Sequence, residues 1–155
     1  MGGNLIVKKG IDFERIAKRD LRKAGYLVDK LHNAPPPYGV KKASDLYAYK
    51  YPHFIFVECK KTGKSLWNIK SNLRDNQLQM MLDAINFCGV KAFVLIWFAK
   101  HKFIYCIEIA NLKELIDKGY KSVNIKNLTN EDFRGKIIHE IENKTFDLSN
   151  FEMEV

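Results

Sequence analysis

Residues 54–60 read Phe-Ile-Phe-Val-Glu-Cys-Lys, an apolar run that ends in a carboxylate and an ammonium group two residues apart. Successive side chains of a strand alternate between its two faces, so Glu58 and Lys60 share one face. Asp45 lies thirteen residues before Glu58, at the start of another run with strand character. A turn at Tyr51-Pro52 would join the two runs as a hairpin and bring both carboxylates to one end. Such carboxylates can bind Mg²⁺, and a nearby cationic side chain can bind a phosphate.

The hydrophobic pattern around this hairpin predicts alternating helices and strands. The first half is predicted to contain a helix over 11–24 ended by Gly25, strands over 26–31, 44–50 and 53–59, and a polar loop over 62–70. The second half is predicted to contain a helix over 73–87 ended by Gly89, strands over 92–98 and 103–109, a short helix near 112–118, a strand over 121–126 and an acidic tail. This order, αβββαβ with a further strand, is typical of an α/β fold with a mixed central sheet flanked by helices. We expect one domain over 1–155, with its core at about 10–109 and a C-terminal extension over 110–155.

The chain is basic, and the excess charge lies in one half. The formal net charge is +8. Residues 1–76 hold 16 Lys and Arg against 7 Asp and Glu, whereas residues 77–155 hold 10 against 11. This asymmetry favours a surface that faces a polyanion such as nucleic acid. The alternative is a soluble, lysine-rich protein whose composition reflects an AT-rich genome.

Cysteine usage and the lack of long apolar runs indicate the cellular setting. Cys59, Cys88 and Cys106 lack the spacing of a zinc site or a disulfide framework, and their apolar neighbours predict reduced core thiols. No signal peptide is evident, and no run approaches the roughly 20 residues of a membrane span. We expect a cytoplasmic, nucleoid-associated protein without membrane contacts, and a viral or phage origin stays open.

The spacing of the acid and the lysine does not by itself identify a site. The same spacing recurs at Glu142 and Lys144, in a polar stretch with no strand to fix it. The position of Glu58 and Lys60 is what differs, because charged groups at the end of a buried strand are costly unless they are paired or metal-bound. This position favours a metal site, with a solvated strand end as the alternative.

The wider pattern resembles a known nuclease superfamily. Ser44-Asp45, the strand into Glu58-Cys59-Lys60, Thr62 shortly after it and Gln77 on the next helix are similar to the PD-(D/E)xK nucleases. Within that superfamily the pattern resembles the RecU-type Holliday junction resolvases, with the archaeal resolvases as relatives. The resemblance covers about residues 10–109. It departs from the family at the turn over 49–53 and in the segment 33–43, which is much shorter than the family's protruding stalk.

The resemblance implies a restriction-endonuclease-like core and a Mg²⁺-dependent, structure-specific DNA endonuclease that resolves four-way junctions by paired symmetric nicks. Mn²⁺ would substitute for Mg²⁺, the partner would be branched double-stranded DNA, and the enzyme would be a homodimer because a junction has two-fold symmetry. Two alternatives remain. One is another nuclease of this fold, acting in repair, restriction or phage DNA processing, and the other is a catalytically degenerate DNA-binding module.

Six residues are the candidates for catalysis and metal binding. Asp45 and Glu58 would ligate Mg²⁺ together with the Cys59 backbone carbonyl. Lys60 would stabilise the charge on the phosphate or orient the attacking water. Glu14 would reach the site from the first helix, and Gln77 would orient the attacking water or the phosphate. The last two have simpler alternatives, namely a surface pair with Lys18 at i+4 for Glu14 and an exposed helix-start amide for Gln77.

The candidates for DNA contact are mostly cations, which would hold phosphates without reading sequence. They are Arg15, Lys18, Arg19, Arg22, Tyr38, Lys41, Lys42, Lys61, Thr62 and Lys64. Tyr38 follows three prolines, and its ring would stack on an exposed base at the branch point or else only cover the loop.

Overall fold

The computed structural model describes residues 2–33 and 41–153, with side chains described from residue 12 onward. Its helices are α1 (Gly2–Lys23), α2 (Ile69–Asn72), α3 (Asp75–Ala84) and α4 (Ile109–Asp117). Its strands are β1 (Leu27–Lys30), β2 (Leu46–Lys50), β3 (His53–Thr62), β4 (Leu66–Asn68), β5 (Val90–Phe98), β6 (Phe103–Glu108), β7 (Ser122–Asn124) and β8 (Lys136–His139).

Six of the strands form one mixed sheet in the order β1-β2-β3-β5-β6-β8. The strand that carries the motif, β3, lies inside this sheet, antiparallel to β2 and parallel to β5. The central position fits its nearly continuous apolar sequence, because both faces of an interior strand are covered. Leu46 pairs with Val57, and the same register sets Asp45 opposite Glu58. The predicted mixed sheet flanked by helices is confirmed.

Helix α1 ends as predicted but begins earlier. Gly25 adopts a φ of +93°, and the Tyr26 N–H donates to the Leu21 carbonyl at 3.1 Å, which closes the helix C-terminus. The helix begins at Gly2 rather than near residue 11. The added segment contains no proline, and Gly10 within it costs only about 1 kcal/mol relative to alanine.

Two hydrophobic clusters cover the two faces of the sheet. One lies under α1 and the C-terminal residues, and its largest members include Phe13, Leu21, Trp97 and Phe151. The other lies under α2, α3 and α4, and it includes Trp67, Met81, Leu112 and Phe133. Among the described residues, no helix has the length and continuous hydrophobicity to span a bilayer.

The prediction of a polar loop over 62–70 is wrong. The segment forms β4, which pairs antiparallel with β7, followed by α2. Trp67 and Ile69 are each only 2% exposed. A three-residue strand is too short to show alternation, and its partner lies far along the chain, so the local pattern carried no signal for it.

The end of the second predicted helix also needs correction. Helix α3 stops at Ala84, five residues before Gly89, and the turn that follows leaves Cys88 exposed rather than in the core. Gly89 has another role. Its carbonyl accepts from the Phe54 N–H at 2.8 Å, and a Cβ at this position would come within 2.9 Å of the Pro52 carbonyl oxygen.

The acidic C-terminal segment is not a separate tail, because its residues are part of the packed structure. Strand β8 pairs with β6, and Phe146, Leu148 and Phe151 are buried in the α1-side cluster. The buried Asp20 carboxylate accepts from the Phe146 N–H at 2.9 Å. Gly135 packs so tightly on Tyr105 that a Cβ would lie 2.3 Å from its ring.

Candidate active site

The two motif carboxylates are held by each other's strand. The Asp45 N–H donates to Glu58 Oε1 at 3.0 Å, and the Cys59 N–H donates to Asp45 Oδ2 at 2.9 Å. These bonds replace backbone pairing at the open end of the β2–β3 hairpin. Each carboxylate is therefore fixed by one of its oxygens, and the other oxygen is left for other partners.

The second oxygens face cations. Lys60 Nζ lies 3.1 Å from Glu58 Oε2, and Lys42 Nζ lies 3.4 Å from Asp45 Oδ1. Gln77, on the first turn of α3, adds a side-chain hydrogen bond to the Glu58 carboxylate. The structure thus brings together Asp45, Glu58, Lys60 and Gln77 as predicted, and Gln77 is more than an exposed amide.

Burial raises the free energy of the ionised Glu58 carboxylate. Glu58 is 2% exposed. Desolvation, followed by repulsion from Asp45, raises its pKa to about 7, although Lys60 and Gln77 act in the opposite direction. Two carboxylates that still repel each other beside an ammonium group form a site whose electrostatics favour an added cation.

Glu14 lies at the edge of the same site. Burial first, and then the proximity of Asp45, raise the pKa of its carboxyl group. Its ion-pair partner is Lys30 on β1, at 3.6 Å. The simpler alternative, a pair with Lys18, is wrong, because Lys18 Nζ binds Asp29 at 3.0 Å.

The carboxylates open into a pocket of about 290 Å³. Its lining is mostly basic and amide: Asn33, Lys41, Lys42, Asp45, Glu58, Lys60, Asn72, Arg74, Asn76 and Gln77. Four of these residues, Asn33, Asn72, Arg74 and Asn76, were not predicted. Arg74 and Asn76 lie within three residues of Gln77 at the start of α3, and this proximity was the signal available in the sequence.

The donor set fits a small, hard divalent cation. Among the described side chains, no three His, Cys, Asp or Glu residues form a cage that could hold a metal unaided. Magnesium does not need such a cage, since it keeps several waters and uses one or two carboxylates. Asp45 and Glu58 supply these carboxylates. A cation between them would balance the negative charge that Lys42 and Lys60 balance now. The Cys59 carbonyl as a further ligand stays a prediction; the Cys59 thiol packs against the α1-side cluster.

Several predicted DNA contacts also have partners within the protein. Arg19 binds Asp20 and the Lys144 carbonyl, and Arg22 donates to the Val28 carbonyl. The Lys61 ammonium lies 4.6 Å from the centre of the Trp97 ring, and the Thr62 hydroxyl donates to the Leu66 carbonyl at 3.1 Å.

The other candidates are more open. Lys41 and Lys42 line the pocket, Lys64 is exposed, and the Arg15 side chain is 74% exposed beside Asp12. Tyr38 and its proline loop lie outside the described residues, so their role stays a prediction.

Comparison with known proteins identifies the family. The family model RecU, recombination protein U, matches residues 40–146. Among solved structures, the fold is similar to that of Hjc, a Holliday junction resolvase from the archaeon Archaeoglobus fulgidus, with a TM-score of 0.57 and 16% identity over 76% of this chain and 89% of that chain. This likeness supports the restriction-endonuclease-like core. Comparison with curated proteins finds no significant match. Because the family model spans more than half of the sequence, the chain belongs to the RecU family.

Proposed function

We propose that this protein is a Mg²⁺-dependent, structure-specific endonuclease that resolves four-way DNA junctions by paired, symmetric nicks. Membership in the RecU family and the resolvase-like fold support its being an enzyme that hydrolyses DNA phosphodiester bonds. The observation that carries the proposal is the pair of opposed carboxylates, Asp45 and Glu58, each fixed by a backbone N–H of the other's strand, with Lys60 3.1 Å from Glu58.

Each residue of the site has a separate task. When bound, a divalent cation supplies Lewis-acid stabilisation of the phosphate and lowers the pKa of a water molecule. Asp45 and Glu58 would hold this cation from two neighbouring strands whose spacing the sheet fixes. Lys60, on the same face as Glu58, would stabilise the negative charge that builds on the phosphate. Gln77 would keep Glu58 ionised and oriented, and Glu14 would take part from the α1 side.

The pocket walls would position the DNA backbone. Lys41, Lys42, Lys60 and Arg74 outnumber the two carboxylates, so the pocket attracts a phosphate even before a divalent cation adds its charge. Contacts of this kind do not read bases. Selectivity for a branch would then come from two copies of the chain, which present two active sites to the two-fold symmetric junction.

Cleavage of three substrates tests the proposal. A four-way junction, a flap and a linear duplex of matched length would be incubated with the protein in Mg²⁺ or in excess chelator, with Asp45→Asn as the matched inactive variant. We expect symmetric paired nicks in the junction only, no cleavage with chelator, and junction affinity retained by Asp45→Asn because the cations of the pocket remain. Equal cleavage of the flap would point to another nuclease of this fold, and binding without any cleavage would point to a degenerate DNA-binding module.

A further inference from the structure

The small β4–β7 sheet is flanked by four exposed lysines that we call the lysine track: Lys64, Lys70, Lys121 and Lys126. None of their ammonium groups has an ion-pair or hydrogen-bond partner among the described residues, in contrast to Lys113 and Lys118, which pair with Asp117 and Asp132. Unpaired exposed lysines are common singly. Four of them around the ends of one two-stranded sheet form a local positive field.

Strand pairing brings these lysines together in two pairs. The Ile125 N–H donates to the Ser65 carbonyl at 3.0 Å, which sets Lys64 and Lys126 side by side at one end. The Ile69 N–H donates to the Lys121 carbonyl at 3.0 Å, which sets Lys70 beside Lys121 at the other end. In addition, the Lys64 N–H donates to the Thr62 hydroxyl at 3.1 Å, so the turn that carries Lys64 is fixed.

Lys70 and Lys121 also line one side of a groove of about 480 Å³. Its other walls come from Asn68, Ile69, Ser71, Ile116, Gly119 and Tyr120, and none of the lining residues is acidic. Two acids adjoin the lining residues, and each has a lysine partner: Asp117, next to Ile116, pairs with Lys113, and Asp132, which accepts from the Tyr120 hydroxyl at 2.9 Å, pairs with Lys118 at 2.8 Å. Amide, hydroxyl and ammonium donors without a counter-charge suit a chain of phosphates.

The lysine track is continuous with the active site. Helix α2 joins β4 to Asn72 and Arg74, which line the catalytic pocket. Asn72, at the end of α2, lines the pocket and lies four residues after Asn68, or about 6 Å of helical rise, and the extended chain from Lys64 to Asn68 adds about 13 Å. The track therefore extends up to about 20 Å from the pocket, which corresponds to about 6 base pairs at 3.4 Å each.

We propose that the lysine track and its groove bind the sugar–phosphate backbone of the duplex arm next to the cut, over about 6 base pairs. This inference rests on the proposed function for the identity of the DNA, but the surface lies outside the catalytic pocket. Two of its four lysines, Lys121 and Lys126, belong to residues 77–155, the half of the chain whose net charge gives no hint of DNA binding. That half has a net charge of −1, but most of its acids lie in the C-terminal segment or pair with other lysines, as Asp117 and Asp132 do.

The test compares salt dependence on arms of two lengths. Binding is measured in chelator, so that no cleavage occurs, to junctions whose four arms are closed by hairpin loops and are either about twice the length of the track or about half of it. The variant Lys121→Gln/Lys126→Gln removes two charges from exposed positions. On long arms we expect the slope of log affinity against log salt to become shallower by about 1.8, at about 0.9 for each phosphate that the protein no longer neutralises. On short arms we expect the variant and the parent to differ little.

The matched control removes two charges from other exposed positions. Lys23→Gln/Lys144→Asn changes the net charge equally, and asparagine suits the left-handed φ of +58° at residue 144. We expect its slope on long arms to equal that of the parent. An unchanged slope in Lys121→Gln/Lys126→Gln, or an equal decrease in the control, would overturn the inference. A parent protein that binds junction and linear duplex equally would contradict the proposed function instead, and the same slope comparison on linear duplexes of two lengths would still decide whether the track binds DNA.

Discussion

Glu58→Gln should abolish cleavage and yet stabilise the metal-free protein above neutral pH. Burial and Asp45 raise the pKa of Glu58 to about 7 from a reference of 4.5. A carboxyl group whose pKa is higher in the folded state contributes its full stability below the unfolded pKa and loses it as the pH rises through the folded pKa. Glutamine keeps the shape of the protonated side chain and does not titrate. Between about pH 5 and about pH 8, the parent should therefore lose about 2.5 kcal/mol of unfolding free energy relative to the variant.

Urea unfolding in excess chelator measures this difference. Trp67 and Trp97 are both buried, in different clusters, so their fluorescence reports on both faces of the sheet. The free energy of unfolding of parent and variant would be compared at several pH values across this window. The same effect can be expressed as the melting temperature of the variant minus that of the parent. For a chain of this size, this difference should be about 5–10 °C larger at the alkaline end of the pH range than at the acidic end. Saturating Mg²⁺ should stabilise the parent alone, because only the parent keeps both ligands.

The exposed Glu131→Gln variant is the matched control, since it removes a carboxylate that is not buried. Its stability relative to the parent should not change with pH in this window. If the difference between Glu58→Gln and the parent is equally flat, or if the parent gains stability as the pH rises through 7, the argument that the site holds a strained buried carboxylate is refuted.

Three further predictions follow from the same contacts. Gln77→Ala should shift the alkaline rise of the cleavage rate to higher pH, because the Gln77 hydrogen bond lowers the pKa of Glu58; a pH–rate profile that does not move would contradict this. Ca²⁺ should support junction binding without turnover, since its larger and looser ligand shell positions water poorly compared with Mg²⁺, and equal cleavage rates in the two ions would refute it. Phe151→Ala should lower the free energy of unfolding by about 3–5 kcal/mol, because the ring is 1% exposed and contacts Tyr26 and Phe93. A decrease below about 1 kcal/mol in urea unfolding would show that the C-terminal segment does not belong to the core.

The grouping of Asp45, Glu58 and Lys60 in the candidate site could be predicted from the sequence because it is mostly local. Asp45 and Glu58 are joined by a short hairpin, and the turn at Tyr51-Pro52 together with the apolar run of β3 fixes which residues meet. Lys60 then follows from strand alternation alone. Gln77 needed the family resemblance, because nothing in the spacing shows that the first turn of α3 folds back over the end of β3.

The missed features depend on contacts between distant parts of the chain. Strand β4 is stabilised by β7, and β8 by β6, so neither short strand shows its pairing in its own sequence. The pairing of Glu14 with Lys30 likewise required the packing of α1 against β1. A window of ten or fifteen residues contains none of this information, which explains why the sequence predicted only an acidic tail after residue 126.

The hydrogen bonds of Asp45 and Glu58 explain how a strained site can also be a rigid one. Each carboxylate gives one oxygen to a backbone N–H of the opposite strand, so the two groups cannot move apart without breaking the end of the hairpin. Their repulsion is consequently retained in the folded state rather than relieved by rotation of the side chains, and it contributes to the raised pKa of Glu58. Asp45 and Glu58 would hold a divalent cation with the oxygens that now face Lys42 and Lys60, so the repulsion would be relieved with both backbone hydrogen bonds kept. Lys42 and Lys60 would then stay at the pocket wall, where a DNA phosphate could replace the carboxylates as their partner.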